Sequence, residues 1–192
     1  MKTPKILLAI LLLYSCNESD SSENDSNVFT GSYKIISYKS DVAVDLNNDK
    51  TTSNNLINEI NDYNFNSHYA LQVAPTKYTT NNQEKIVSLF LPKTEISFKN
   101  SLGTKPYVQF AQYGYLTSYK FENNKIYLKE NKYVEKAYID NIESNKNITL
   151  SNTIEIIDSI HLKASVQKEY YDFSTNSWKM LNIEIIYEKV AE

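Results

Sequence analysis

The chain has 192 residues, 20 basic and 23 acidic, for a formal charge of −3, and every basic residue is Lys. Without Arg there is no side chain to grip phosphate bidentately or stack on bases, so a near-neutral chain of this kind is a poor nucleic-acid binder. The single cysteine, Cys16, excludes an intramolecular disulfide.

Lys2 and Lys5 precede an unbroken apolar run, Ile6 to Leu13, followed by Tyr14, Ser15 and Cys16. The run is too short for a bilayer, which takes ~20 apolar residues. A positive start, a short apolar core and a small residue together have the form of a cleavable export signal. With cysteine directly after the small residue, residues 1–15 resemble a bacterial lipoprotein signal peptide. The resemblance implies that Cys16 becomes the mature N-terminus, carrying a thioether-linked diacylglycerol and an N-acyl chain. It also implies an outer-membrane location, with the membrane itself as the first partner. Each buried methylene adds ~0.8 kcal/mol of membrane affinity, so three acyl chains make release negligible.

Residues 16–29 read as the lipidated cysteine and a tether. From Asn17 to Asn27 there are only Ser, Asn, Asp and Glu, with nothing to bury, so this stretch is expected to be disordered. Its acids, Glu18, Asp20, Glu23 and Asp25, read either as a solvated spacer or as a sorting signal for display on the outer face.

Residues 30–192 have the size of one domain with one core. Their pattern is overwhelmingly period two: Ile160, Leu162, Ala164 and Val166 alternate with polar neighbours, as do Ile96 with Phe98 and Ile126 with Leu128. The predicted strands are 31–40, 68–74, 85–91, 94–99, 106–112, 115–122, 125–130, 133–139, 147–156, 159–172 and 177–188. One short helix is expected within 53–62, with Ser53 as N-cap and Leu56, Ile57 and Ile60 on one face. Asn123-Asn124 and Ser174 to Ser177 carry hairpin chemistry, because Asn tolerates positive φ and the chain has only three glycines.

Short links between many strands point to an all-β, antiparallel barrel of about 8–10 strands, since closure removes exposed edges. A two-layer β-sandwich is the alternative. Gly31-Ser32-Tyr33 at the start of the first strand, then Asp45-Leu46-Asn47-Asn48-Asp49 and a helix with Glu59, resemble the lipocalin-like lipoproteins of Gram-negative outer membranes. That resemblance rests on residues 30–62 and is architectural beyond them; Tyr33 stands where that family has Trp. It implies a barrel that binds a small apolar or amphipathic molecule.

Asp45, Asn47, Asp49 and Thr51 place oxygen atoms at alternate positions, as the first half of an EF-hand-type calcium loop does. Lys50 stands where such a loop has Gly, and Leu56 where it has the bidentate Glu, so an Asx-rich turn from strand to helix is the competing reading. Catalytic constellations are thin, and no catalytic residue is assigned. His68 and His161 are the only imidazoles and lack metal-ligand spacing, while Glu95, Glu122, Glu155 and Glu184 would have to pair across strands to act as acid and base. The protein is expected not to be an enzyme. Ser159, within Asp158-Ser159-Ile160, resembles an acceptor for O-linked glycans.

The 16 tyrosines are the remaining signal. Tyr113, Tyr115 and Tyr119 surround Gly114 and are the candidate ligand-binding residues, because a phenol offers an apolar ring with a hydrogen-bonding tip; the alternative is that they simply fill the core. The function expected is small-molecule binding inside the barrel. The alternative is a surface module that binds a protein or glycan, or an accessory subunit of an envelope complex.

Overall fold

A computed structural model describes residues 29–191 other than 61, 68, 80, 81 and 100–105, with side chains described outside 75–84. The signal peptide, Cys16, the tether as far as residue 28, and His68 therefore lie outside the described residues. Eleven strands follow in order: β1 (Gly31–Val44), β2 (Ser53–Asn55), β3 (Leu71–Thr79), β4 (Asn82–Ser97), β5 (Tyr107–Glu122), β6 (Lys125–Leu128), β7 (Lys132–Ile139), β8 (Ile142–Leu150), β9 (Thr153–Ile156), β10 (His161–Asp172) and β11 (Ser177–Lys189). Helix α1 (Leu56–Glu59) interrupts them after β2.

Eight of these strands close a ring. β1, β3, β4, β5, β6 and β9 pair antiparallel in that order, β9 pairs with β10, and the long β10–β11 hairpin returns to β1. The result is a closed antiparallel eight-stranded barrel with one short helix, the architecture that period-two patterning and short links imply. The β7–β8 hairpin stands outside this order. β8 joins β10 at Val166–Leu150 and Gln167–Thr149, while the far end of β7 runs parallel to β4 at Glu95–Tyr138 and Ile96–Ile139. The hairpin thus bridges two strands of the ring.

Local chemistry explains most departures from the predicted elements. Strand 85–91 and strand 94–99 are one strand, β4, running through Pro92. The amide of Phe90 donates to the carbonyl of Ala70, so alternate residues of β4 face β3, and that pairing ends at Leu89. Pro92 falls on this side beyond the end of β3, where a missing N–H breaks no ladder. Likewise 106–112 and 115–122 merge into β5 through Gly114. A Cβ there would lie 2.7 Å from the ring of Phe90 on the neighbouring strand, so the glycine makes room for an aromatic rather than a break.

The predicted strand 147–156 is two strands, β8 and β9, parted at Ser151-Asn152. The predicted helix shrinks to four residues, Leu56–Glu59; Ser53 to Asn55 pair with β1 instead, and the N-cap is Asn55, with no side-chain capping bond. A helix this short has no propensity-driven stability of its own, and buried Leu56 anchors it in the core.

Both residues of Asn123-Asn124 have positive φ, 50° and 58°, between paired Glu122 and Lys125, the geometry of a primed two-residue hairpin. Asp140-Asn141, at 50° and 65°, closes β7–β8 in the same way. In β1 the ladder slips between Ile35 and Ser37, and the inward set changes from Tyr33 and Ile35 to Tyr38 and Ser40. Phe29, at the end of the predicted tether, belongs to the core: it packs against Tyr119 and Phe121, and Tyr33 Oη donates to its carbonyl.

Candidate functional site

The inward face of β10 runs Leu162, Ala164, Val166, Lys168, Tyr170 and Asp172. Lys168 occupies an apolar-register position and is fully buried. Its ammonium donates to Glu135 Oε1 of β7, and Tyr115 Oη of β5 donates to Glu135 Oε2 at 2.7 Å. Burial pushes the Lys168 ammonium down to about 8, with the Glu135 charge opposing that shift. Beside them Tyr170 Oη donates to the carbonyl of Pro92 at 2.7 Å, which leaves it to accept from Tyr38 Oη at 2.9 Å. Burial raises the phenols of Tyr38, Tyr115 and Tyr170 well above the usual range, so all three stay protonated.

The barrel interior is therefore filled. Tyr33, Tyr38, Tyr115, Tyr170, Tyr187 and Lys168 are each less than 2% exposed. The three tyrosines singled out around Gly114 belong to this packing: Tyr115 is committed to Glu135, Tyr119 Oη donates to the carbonyl of Ala74, and half-buried Tyr113 lies against the Tyr115 ring. Alternation in β10 was legible as far as Val166. Continuing the same period by two residues places Lys168 inside, and that signal marks the buried ion pair.

The Asp45 to Thr51 segment is held by its own side chains, with Asx turns at Asn47 and Asp49. Asp45 accepts from the amides of Asp49 and Lys50, Asn47 from the amide of Asp49, and Asp49 from the amide of Thr51. Lys50 Nζ donates to Asn48 Oδ1. Among the described residues no group of three or more His, Cys, Asp or Glu side chains is arranged to hold a metal ion. Glu59 accepts from the amide of Leu46, and Asp172 from the amide of Asp45, so helix, loop and the β10–β11 turn are tied together. Burial, with the charges of Asp49, Asp45 and Asp172 adding to it, pushes the Glu59 carboxyl up to about 7.

Three of the dispersed acids are each paired with a lysine: Glu95 with Lys93, Glu155 with Lys125 and Glu184 with Lys163. His161 lies between Asp158 and Glu188 on the surface, and hydrogen bonding to Asp158 raises its pKa. Asp158 Oδ1 also accepts from the amides of Ile160 and His161, so exposed Ser159 sits in an Asx turn.

On the outside, where the β8–β9 link lies beside β10 and β11 pairs with β10 on its other side, lies an open groove of about 520 Å³. One wall is Asn131, Ser151 and Asn152; the other side carries Ser165 and Gln167 of β10 and Asn182 of β11. Asn131 Nδ2 donates to Asn152 Oδ1 at 2.7 Å, and Gln167 Nε2 donates to Asn182 Oδ1 at 2.9 Å. Asn182 is held in turn by Asp41, through its backbone amide and its Nδ2. Glu184 is the only charged residue of the lining, and Lys163 neutralises it. Neighbouring grooves differ: one carries Lys93 and Glu95, another Lys85, Lys120 and Lys129. Sequence reading missed the amide groove because its residues are ordinary outward positions on separate strands.

No family model, no curated protein and no solved structure matches this chain.

Proposed function

We propose that this chain is a non-enzymatic, lipid-anchored outer-membrane protein whose barrel acts as a surface interaction module for a glycan or protein. The observation that carries the reading is the filled interior: phenols and the Glu135–Lys168 pair occupy the space in which a hollow barrel would hold a ligand. Recognition then falls to the outer surface, which offers the amide groove and a second feature at one end of the barrel. There Phe98, Tyr171, Phe173 and Trp178 meet edge to face, with Phe98 exposed. Cys16 is the anchor in this reading, and the acidic tether holds the domain away from the bilayer.

A second reading, an apolar or amphipathic molecule inside the barrel, draws on two buried hydroxyls without a partner among the described residues, Tyr187 Oη and Thr94 Oγ1. It requires the packed rings to rearrange.

The test is to express the full chain and its Cys16→Ser variant in a Gram-negative host, fractionate, and label intact cells with a membrane-impermeant amine reagent. The expected result is wild-type protein in the outer-membrane fraction with its lysines labelled on intact cells, and loss of membrane association for the variant. Labelling only after lysis overturns surface display. A native mass spectrum with a retained organic adduct would favour the interior site.

A further inference from the structure

We infer that the groove over β10 and β11 binds a neutral, polyhydroxylated ligand, a stretch of uncharged glycan. This rests on the surface-module reading above and names the ligand class for one part of that surface. Three observations carry it.

The first is the balance of the lining. Asn131, Asn152 and Gln167 are each held at one end and free to serve at the other, while Asn182 is held at both, its Oδ1 by Gln167 and its Nδ2 by Asp41. Asn131 uses a donor on Asn152, which leaves the Asn131 carbonyl oxygen as acceptor and the Asn152 amide nitrogen as donor. Gln167 uses one N–H on Asn182 and keeps its carbonyl oxygen and a second N–H. Donors and acceptors are thus interspersed, which matches hydroxyl groups, since each of these both donates and accepts. A phosphate or carboxylate would need cations, and the lining holds none; its one charged residue, Glu184, is paired with Lys163 at 2.5 Å.

The second is preorganisation. The Asn131–Asn152 pair is fixed to the backbone, because Asn131 Nδ2 also reaches the carbonyl of Leu150 and the carbonyl of Asn152 accepts from the amide of Leu128. The Gln167–Asn182 pair is fixed by Asp41. Side chains already ordered lose little entropy on binding.

The third excludes the commonest rival, a peptide added as an extra strand. That mode needs an open edge on β10. Here the edge is satisfied along the groove: Lys163 pairs with Glu155, Gln167 pairs with Thr149, and between them the carbonyl of Ser165 accepts from the Ser151 amide at 2.7 Å while the Ser165 amide donates to Ser151 Oγ. Only side chains are left to recognise a ligand.

Affinity electrophoresis of the detergent-solubilised full chain tests this, in gels containing dextran, amylopectin, yeast mannan or hydroxyethyl cellulose, with polygalacturonate as the anionic comparison. At least one neutral polysaccharide is expected to retard the protein, at a strength that added salt leaves unchanged. Asn152→Ala combined with Gln167→Ala should weaken retardation about tenfold or more. Both positions are exposed, and an unchanged thermal midpoint verifies that the variant is folded. Gln167→Glu, of the same shape, should weaken retardation comparably by placing an unpaired anion in the lining. Retardation by polygalacturonate alone, or by no polysaccharide, overturns the inference. Retardation that survives both variants also overturns the groove assignment, while leaving the surface-module reading intact; that reading fails only if intact cells do not expose the domain.

Discussion

Lys168 of β10 and Glu135 of β7 form an ion pair inside the barrel, with side chains 0% and 2% exposed. It joins the β7–β8 hairpin to a ring with which the hairpin makes only short ladders, at two places. The pair also orders the interior, since Glu135 takes its second hydrogen bond from Tyr115.

Breaking that pair from one side should be costly, because the other charge is left buried. Lys168→Met and Glu135→Gln are each expected to lose about 3–5 kcal/mol in urea unfolding. Replacing both, Lys168→Met with Glu135→Leu, should recover most of that loss, since two apolar chains need no partner. Single variants that lose less than about 1 kcal/mol would show that water reaches the site.

Stability should depend on pH through Glu59. Its folded pKa, about 7, lies above its ordinary value of 4.5, so the folded state holds the proton more tightly. The corresponding stabilisation is complete below pH 4.5 and is lost as pH rises towards 7, on the order of 3 kcal/mol. Asp172 acts in the opposite sense, but only as pH falls below its ordinary 3.8. Glu59→Gln is expected to flatten the profile between pH 4.5 and 7, measured by urea midpoints across that range. An unchanged slope would place the effect elsewhere.

The hairpin turn at Asn123-Asn124 should resist β-branched residues. Asn124 has φ of 58°, a region where a branched Cβ clashes with its own backbone. Asn124→Val is expected to cost about 1–2 kcal/mol, and Asn124→Gly to be neutral or slightly stabilising. Paired thermal melts of the two variants distinguish a conformational cause from loss of a side-chain contact.

Gly114→Ala should displace the Phe90 ring, which would lie 2.7 Å from the new methyl group. An overpacking cost of about 1–3 kcal/mol is expected. Gly114→Ala with Phe90→Leu should restore part of it, because the smaller side chain makes room. A double variant no more stable than the single would mean that the glycine serves the backbone instead.

Alternation over β10 and β6, hairpin chemistry at Asn123-Asn124, and one short apolar helix near Leu56 were all readable along the chain, because each is a local property with a period or a turn preference behind it. The all-β class and a barrel of about eight strands follow from those features. The predicted gaps at 92–93 and 113–114 are strand in β4 and β5, since the usual cost of Pro92 and Gly114 in a strand depends on what lies across the sheet. The end of β3 spares Pro92, and the Phe90 ring makes use of Gly114. Neither neighbour is adjacent in sequence. At the split, the Ser151 amide donates to Ser165 of the neighbouring β10 and the Asn152 carbonyl accepts from Leu128, again partners distant in sequence.

Composition and local pattern by themselves determined the near-neutral charge, the arginine-free chemistry, the strand periodicity and the turn sites, because these depend on residues a few positions apart. Tertiary structure alone decided that the tyrosines fill the barrel, that Lys168 meets Glu135, and that four amides from β10, β11 and the links flanking β7 and β8 line one groove. Those all involve residues far apart in the chain, as with the 132 positions between hydrogen-bonded Tyr38 and Tyr170, and closure of the ring is what brings them together.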